Sequence, residues 1–304
     1  MGPFGPLILR AMRFVALVRS SLIEYPPYIS HIVFVPGCIF RCDYCYNKSI
    51  VEDNTEEIYS QEEIINMIKY DNKFSNIVKG LVISGGEPLL YQEELKDFID
   101  EIKKLKIFVR IDTTGALENK NFLEKLNGIS ITLKPFSYYS KDYLQNLIEN
   151  IKLSQNLNFN YLELRLTLTQ ENYLYVLKTF EFIKDIIDFR KWNLKVIKAK
   201  FIEEGVHISR FTILKDDLFL NIFESMKKYP FKNITFHSGN TGKHKVQLLQ
   251  AIRIMIQRKY ILTLDQIKEK VKEAVDYGCT EVCIQGGLLP NVDLTFYISI
   301  IEAV

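Results

Sequence analysis

What limits the fold of this chain most is a regular alternation between Ser30 and Phe201, where short β-branched, apolar runs take turns with longer stretches of helical period. Parallel βα units require that pattern. Strands are predicted at His31 to Val35, Gly80 to Ser84, Ile107 to Asp112, Ile129 to Leu133, Tyr161 to Leu168 and Leu194 to Phe201. Helices are predicted at Gln61 to Tyr70, Gln92 to Lys104, Asn121 to Leu126, Lys141 to Leu153, Asn172 to Ile187 and Asp216 to Lys228. Six such units give an α/β fold, an incomplete (β/α)6 barrel rather than the closed eight-unit ring. Ser60 to Glu63 has the capping-box spacing ahead of the first of these helices, and Thr263 to Gln266 repeats it far downstream.

Chemistry enters with the cysteines. Three of the five, Cys38, Cys42 and Cys45, fall within eight residues. The most apolar early stretch, Leu7 to Val18, is broken by Arg10 and Arg13, so neither a membrane span nor an export signal is expected. The expected location is cytoplasmic, where thiols stay reduced and crowded cysteines serve as metal ligands more often than as disulfides. Lys and Arg number 39 against 37 Asp and Glu, and a net charge of +2 leaves no electrostatic footprint for nucleic acid.

Pro36 to Cys45 follows directly on the first predicted strand, which puts three thiolates at a strand C-terminus, the active-site end of a βα barrel. A 4Fe-4S cluster normally takes four cysteines, so three leave one iron open to a ligand. A zinc site completed by His31 or a more distant residue also suits three thiolates. Gly85-Gly86-Glu87-Pro88 ends the second strand; paired glycines let backbone approach a ligand, and a carboxylate there can accept from an ammonium group. Asp112 and Thr114 close the third strand and Lys134 ends the fourth. Arg165 lies inside the fifth, where a buried cation needs an anion, either a structural partner or a bound carboxylate. Glu163 is assigned to the other side of that strand. Arg41 is read as a loop-packing residue, and His207, His237 and His244 as structural or solvent-facing.

The spacing of Cys38, Cys42 and Cys45, with the aromatic Tyr44 before the third, resembles the signature of the radical SAM superfamily. In that family the open iron chelates S-adenosylmethionine (SAM). The resemblance implies that Gly85, Gly86, Glu87 and Pro88 hold the methionine amino group and that Tyr44 backbone lies beside the adenine. Asp112-Thr113-Thr114-Gly115 resembles the Asp-Thr-Asn-Gly element of glycyl-radical activating enzymes, with Thr114 in place of Asn. Lys134 stands where those enzymes carry Asp-Leu-Lys, with Thr132 in place of the Asp. For Lys134 and Arg165, SAM binding and structural pairing both remain open.

The stretch from Leu22 to Cys38 resembles the activating proteins of anaerobic ribonucleotide reductase. That implies a glycyl-radical protein as partner and a flavodoxin- or ferredoxin-type electron donor. Only Cys279 and Cys283 remain after the motif, too few for a second four-cysteine cluster, and both are read as buried small residues. A small-molecule enzyme such as 7-carboxy-7-deazaguanine synthase is the alternative, and a zinc-binding structural module a further one. The tail from Tyr260 to Val304 resembles the second subunit of F420-precursor synthase. It carries Leu288 where the first Gly-Gly turn carries Glu87, which implies a non-catalytic fragment. The expected organisation is an extension over 1–22, a partial barrel over 23–236, a linker over 237–246 and a short α/β extension over 247–304.

Overall fold

A computed structural model describes residues 12–52, 58–74, 77–199 and 211–237, the strands at 250–253 and 282–285, and a few helical positions between those two. The chain divides into two compact units, Met1–Ile234 and Thr235–Val304. The first contains β1 (Ala16–Ser21), β2 (Ile29–Val35), β3 (Val78–Gly85), β4 (Phe108–Thr113), β5 (Gly128–Leu133), β6 (Tyr161–Leu168) and β7 (Asn193–Lys198) in sequential order. Strands β2 to β7 are parallel neighbours, as the alternation requires. Two strands were not anticipated: β1 pairs antiparallel with β2, and β8 (Asn233–His237) follows β7. The predicted linker therefore begins on the last residue of a strand, His237.

The helices α2 (Gln61–Phe74), α3 (Gln92–Lys104), α4 (Lys141–Asn156), α5 (Tyr173–Ile183) and α6 (Asp216–Met226) fall where periodicity put them; a short α1 (Lys48–Val51) precedes them. The capping box at Ser60 is formed: Ser60 N–H donates to Glu63 Oε2 at 2.7 Å and Glu63 N–H to Ser60 Oγ at 3.1 Å. The predicted helix at Asn121 to Leu126 shrinks to a 3-10 turn, Leu123–Lys125. Asn121, at a φ of 58°, stays outside the helix and Leu126 is already extended, so a single turn forms, its start capped by Asn119 Oδ1, which accepts from Phe122 and Leu123 N–H.

Alternate strand positions divide sharply. Val33, Leu81, Ile83, Val109, Ile111, Ile129, Ile131, Leu164, Leu166, Leu194 and Val196 are fully buried beneath the helices, which present Phe98, Ile99, Leu147, Ile151, Val176 and Phe180. The intervening positions turn inward and carry Ser84, Arg110, Asp112, Ser130, Glu163, Arg165 and Lys195. At the end of the barrel where the strands begin, the segment before β2 crosses its interior. Tyr25, fully buried, donates from its hydroxyl to Asn160 Oδ1 at 2.8 Å.

In the second unit, β9 (Gln250–Arg253) pairs in parallel with β10 (Val282–Gln285). This agrees with a short α/β extension. His207, His244, Cys279, the Thr263 capping box and the second Gly-Gly turn lie outside the described residues, apart from an isolated helical position at Asp265.

Candidate active site

The loops that leave β2 and β3 are laced together by backbone. Gly86 N–H donates to the Val35 carbonyl at 2.9 Å and Glu87 N–H to the Gly37 carbonyl at 2.8 Å. A Cβ on Gly86 would stand 1.5 Å from the Gly37 oxygen, so only glycine fits. Arg41 donates from NH1 to the carbonyls of Cys38 at 2.7 Å and Phe40 at 3.0 Å, the loop-packing role expected of it. The Phe40 ring packs against Tyr138, Tyr139 and Tyr143, with centroids 5.6 to 5.8 Å away.

This arrangement opens a cavity of about 350 Å³, within the range of small-molecule sites. Cys38, Cys42, Cys45, Tyr44, Gly85, Gly86, Asp112, Thr114, Lys134 and Arg165 all line it. The three cysteines are free thiols. Burial pushes the Cys38 thiol up to about 11 and raises Cys45 as well; Lys134 draws both the other way, and Cys42 lies close enough to act on each. Among the described residues no three metal-binding side chains are already drawn to coordination distance, so the thiols surround a cavity rather than a point. Three ionisable thiols, an adjoining cation and a backbone cradle fit a soft-metal cluster that retains one open position.

Glu87 is set back from the cavity wall. It is fully buried and does not line the cavity. Its Oε1 accepts from Leu89 N–H at 3.1 Å and Thr113 Oγ1 at 2.6 Å; its Oε2 accepts from Thr114 N–H at 2.9 Å and Thr114 Oγ1 at 2.6 Å. Four donors from two loops converge on the carboxylate. Pro88 is also buried, opening a 3-10 turn away from the cavity. At this turn the cavity meets only the two glycines, and Glu87 instead binds the loop after β4 to the loop after β3. Thr114, the residue that departs from Asn, supplies half of that bond set.

His31 is likewise misplaced for the zinc alternative. It lies on the helix-facing side of β2, with Nε2 3.8 Å from Asp71 Oδ2 of α2. Four strand residues, roughly 13 Å at about 3.3 Å each, separate it from the loop that carries the thiols.

Beneath the cavity is a group of charges that the sequence reading broke up. Glu163 and Arg165 are two positions apart on one strand and therefore share a face, contrary to the assignment above. Arg165 donates to Glu163 Oε1 from Nε at 3.1 Å and from NH2 at 2.8 Å, to Asp112 Oδ2 at 3.3 Å and to Glu24 Oε2 at 3.0 Å. Arg110 reaches Asp112 Oδ1 at 2.6 Å and Glu24 Oε2 at 3.7 Å, with its guanidinium carbon 5.5 and 5.2 Å from the Tyr25 and Tyr161 ring centroids. Lys195 Nζ is 3.5 Å from Glu24 Oε1. Burial raises the Glu163 carboxyl, but Arg165 and Arg110 outweigh it and hold the group far below the ordinary range. Three carboxylates thus balance three cations.

A family model described as the Radical SAM superfamily matches residues 32–183, half of the 304. The chain belongs to the radical SAM superfamily. Over 104 residues it is 33% identical to the pyruvate formate-lyase-activating enzyme of Listeria monocytogenes, covering 33% of this chain and 42% of that protein. Over 48 residues it is 67% identical to the 5-amino-6-(D-ribitylamino)uracil--L-tyrosine 4-hydroxyphenyl transferase of Archaeoglobus fulgidus, 16% of this chain and 14% of the relative. The chain thus spans well under half the length of these curated relatives. Among solved structures, QueE from Escherichia coli is matched over 74% of this chain and 94% of its own, at 14% identity and a TM-score of 0.49.

In this radical SAM chain the two cations left open by sequence separate. Arg165 faces three carboxylates, so its charge is met internally. Lys134 lines the cavity, and its Nζ lies 5.8 Å from the Tyr44 ring centroid, with no ion pair to it among the described residues. Sequence reasoning missed Glu24, Arg110 and Lys195. Strand parity held the signal for the latter two, since Arg110 shares its side of β4 with Asp112 and Lys195 shares its side of β7 with Asn193, while aliphatic residues fill the positions between. Glu24 lies within the stretch that resembles the ribonucleotide reductase activators but precedes the first predicted strand, so no strand period assigned it a face.

Proposed function

We propose that this chain cleaves SAM reductively at a 4Fe-4S cluster held by Cys38, Cys42 and Cys45, and directs the radical to a glycyl-radical protein. The observation that carries the reading is the meeting, on one cavity at the C-terminal ends of radical SAM strands, of three free thiols and Lys134, which has no ion pair among the described residues. The chemistry supplied by the bound group is one-electron reduction of SAM, which breaks a carbon–sulfur bond to leave methionine and a 5′-deoxyadenosyl radical.

The protein's own residues orient the ligand and keep water out. Lys134 offers an ammonium to the SAM carboxylate, a charge-assisted contact that Arg165 is less free to make. Gly85 and Gly86 bring backbone to the ligand. Among the described residues Asp112 Oδ2 accepts long bonds alone, 3.4 Å from Ser84 and 3.3 Å from Arg165, and so retains capacity for a ligand donor. Glu87 and Thr114 act one step back, fixing the two loops relative to each other. The aromatic group around Phe40 walls one side of the cysteine loop.

Support for a glycyl-radical partner comes from the pyruvate formate-lyase-activating relatives and from the stretch before Cys38, which resembles activators of anaerobic ribonucleotide reductase. A flavodoxin- or ferredoxin-type donor would supply the electron. Anaerobic reconstitution with iron and sulfide, followed by electron paramagnetic resonance of the reduced protein with and without SAM, tests the cluster. The expected result is a 4Fe-4S signal that SAM perturbs and that Cys42→Ala abolishes. One zinc and no iron after anaerobic purification would defeat it. Incubation with SAM and each glycyl-radical protein in turn should yield a glycyl doublet with one of them. SAM cleavage without a doublet on either would move the substrate to a small molecule.

A further inference from the structure

We infer that Glu24, on the segment that leads into β2, is a positioning residue for the SAM cavity, acting on its floor from the opposite end of the barrel. The inference rests on the SAM-binding reading above and deepens it.

Glu24 precedes β2 on the segment that crosses the barrel interior, and its carboxylate reaches inward from the far end to Arg110, Arg165 and Lys195. It is the only carboxylate of the network that does not come from a barrel strand. Its Oε2 holds Arg165 NH2 at 3.0 Å, and its Oε1 lies 3.5 Å from Lys195 Nζ. Arg165 NH2 is thereby shared between Glu24 and Glu163, and NH1 is left with Asp112 at a long 3.3 Å. Asp112 and Arg165 both line the cavity. Two anions pulling Arg165 down therefore keep it from closing fully on Asp112, and leave Asp112 Oδ2 open towards the cavity. Without Glu24 the interior carries three cations against two carboxylates. Arg165 would then find its missing charge in Asp112, drawing shut the acceptor that a SAM hydroxyl or amine would use.

The same carboxylate also balances charge, and a purely structural role must be told apart. Glu24→Gln keeps the shape and removes the charge; Glu24→Gln combined with Lys195→Met restores neutrality without restoring the hold on Arg165. We expect Glu24→Gln to weaken equilibrium SAM binding to the cluster-loaded protein about tenfold and to lower the unfolding temperature of the metal-free chain. The double variant should recover the unfolding temperature and keep the weakened SAM binding. Recovery of both in the double variant would overturn the inference and leave Glu24 a charge balancer. Unchanged SAM binding in Glu24→Gln would overturn it as well. Failure of the unaltered, cluster-loaded protein to bind SAM would instead defeat the proposed function, so the two are read separately.

Discussion

The two faces of β4 to β7 come from one run of residues and follow opposite rules. The outward positions are mostly aliphatic and buried under helices, whereas the inward ones carry arginine, lysine, aspartate and glutamate in contact with one another. Outside, burial of apolar area stabilises the fold without directional demands, at about 25 cal/mol per Å². Inside, each buried charge must meet a partner at a fixed distance, and replacing such pairs by apolar residues is often neutral or stabilising. A network of that kind is therefore poorly explained by stability alone. It makes sense as the rigid floor of the cavity above it.

Changes on each face should separate stability from binding. The largest loss of stability is expected outside: Leu164→Ala, at a fully buried helix-facing position, should cost about 3 kcal/mol in denaturant unfolding. SAM affinity per folded molecule should stay the same, and a parallel loss of affinity would break the division of labour. Glu87→Gln lies between the two. Its amide leaves some of the four converging donors unmet, so stability should fall by about 2 kcal/mol and SAM binding should weaken with it, as the two loops lose their tie. Loss of stability with SAM binding intact would show that the tie does not shape the cavity.

Lys134→Met is expected to do the reverse of Leu164→Ala. SAM binding should weaken about tenfold, about 1.4 kcal/mol, with the unfolding midpoint unmoved, because the removed ammonium has no ion pair among the described residues. Calorimetric titration beside thermal unfolding distinguishes these outcomes. The smallest effect concerns acid. Burial raises the Glu24 carboxyl, but Arg165, Lys195 and Arg110 outweigh it and bring it from 4.5 down to about 2. A carboxyl depressed in the folded state adds stability above its unfolded value and loses it as pH falls from 4.5 through 2. Metal-free Glu24→Gln should lose less stability than the unaltered chain across that window. Equal slopes would show that the network does not hold Glu24 ionised.

Much of the architecture was legible in the sequence because βα alternation and capping are local. Six parallel strands, five of the six predicted helices and the capping box at Ser60 appear where hydrophobic period and side-chain chemistry put them. The edge strand β1 was missed because its signal is weak on its own: it is a strand through pairing with β2, and its burial is only partial. The helix at Asn121 was overestimated because apolar period was read without the left-handed backbone of Asn121 and the extended backbone of Leu126, which confine it to one turn.

The site divides along the same line. Sequence by itself determined the three cysteines, the glycine pair, and the placing of Lys134 at a strand end, since each depends on residue type and position along one element. Only the tertiary structure decided what Glu87, Arg165, His31 and Glu24 do. A carboxylate within a motif reads as a ligand until its four donors, drawn from two loops, are seen around it. A buried arginine reads as a binding cation until carboxylates from β4, β6 and the segment before β2 meet it. Those encounters join residues up to 141 positions apart, and barrel curvature, which no local period encodes, brings them together.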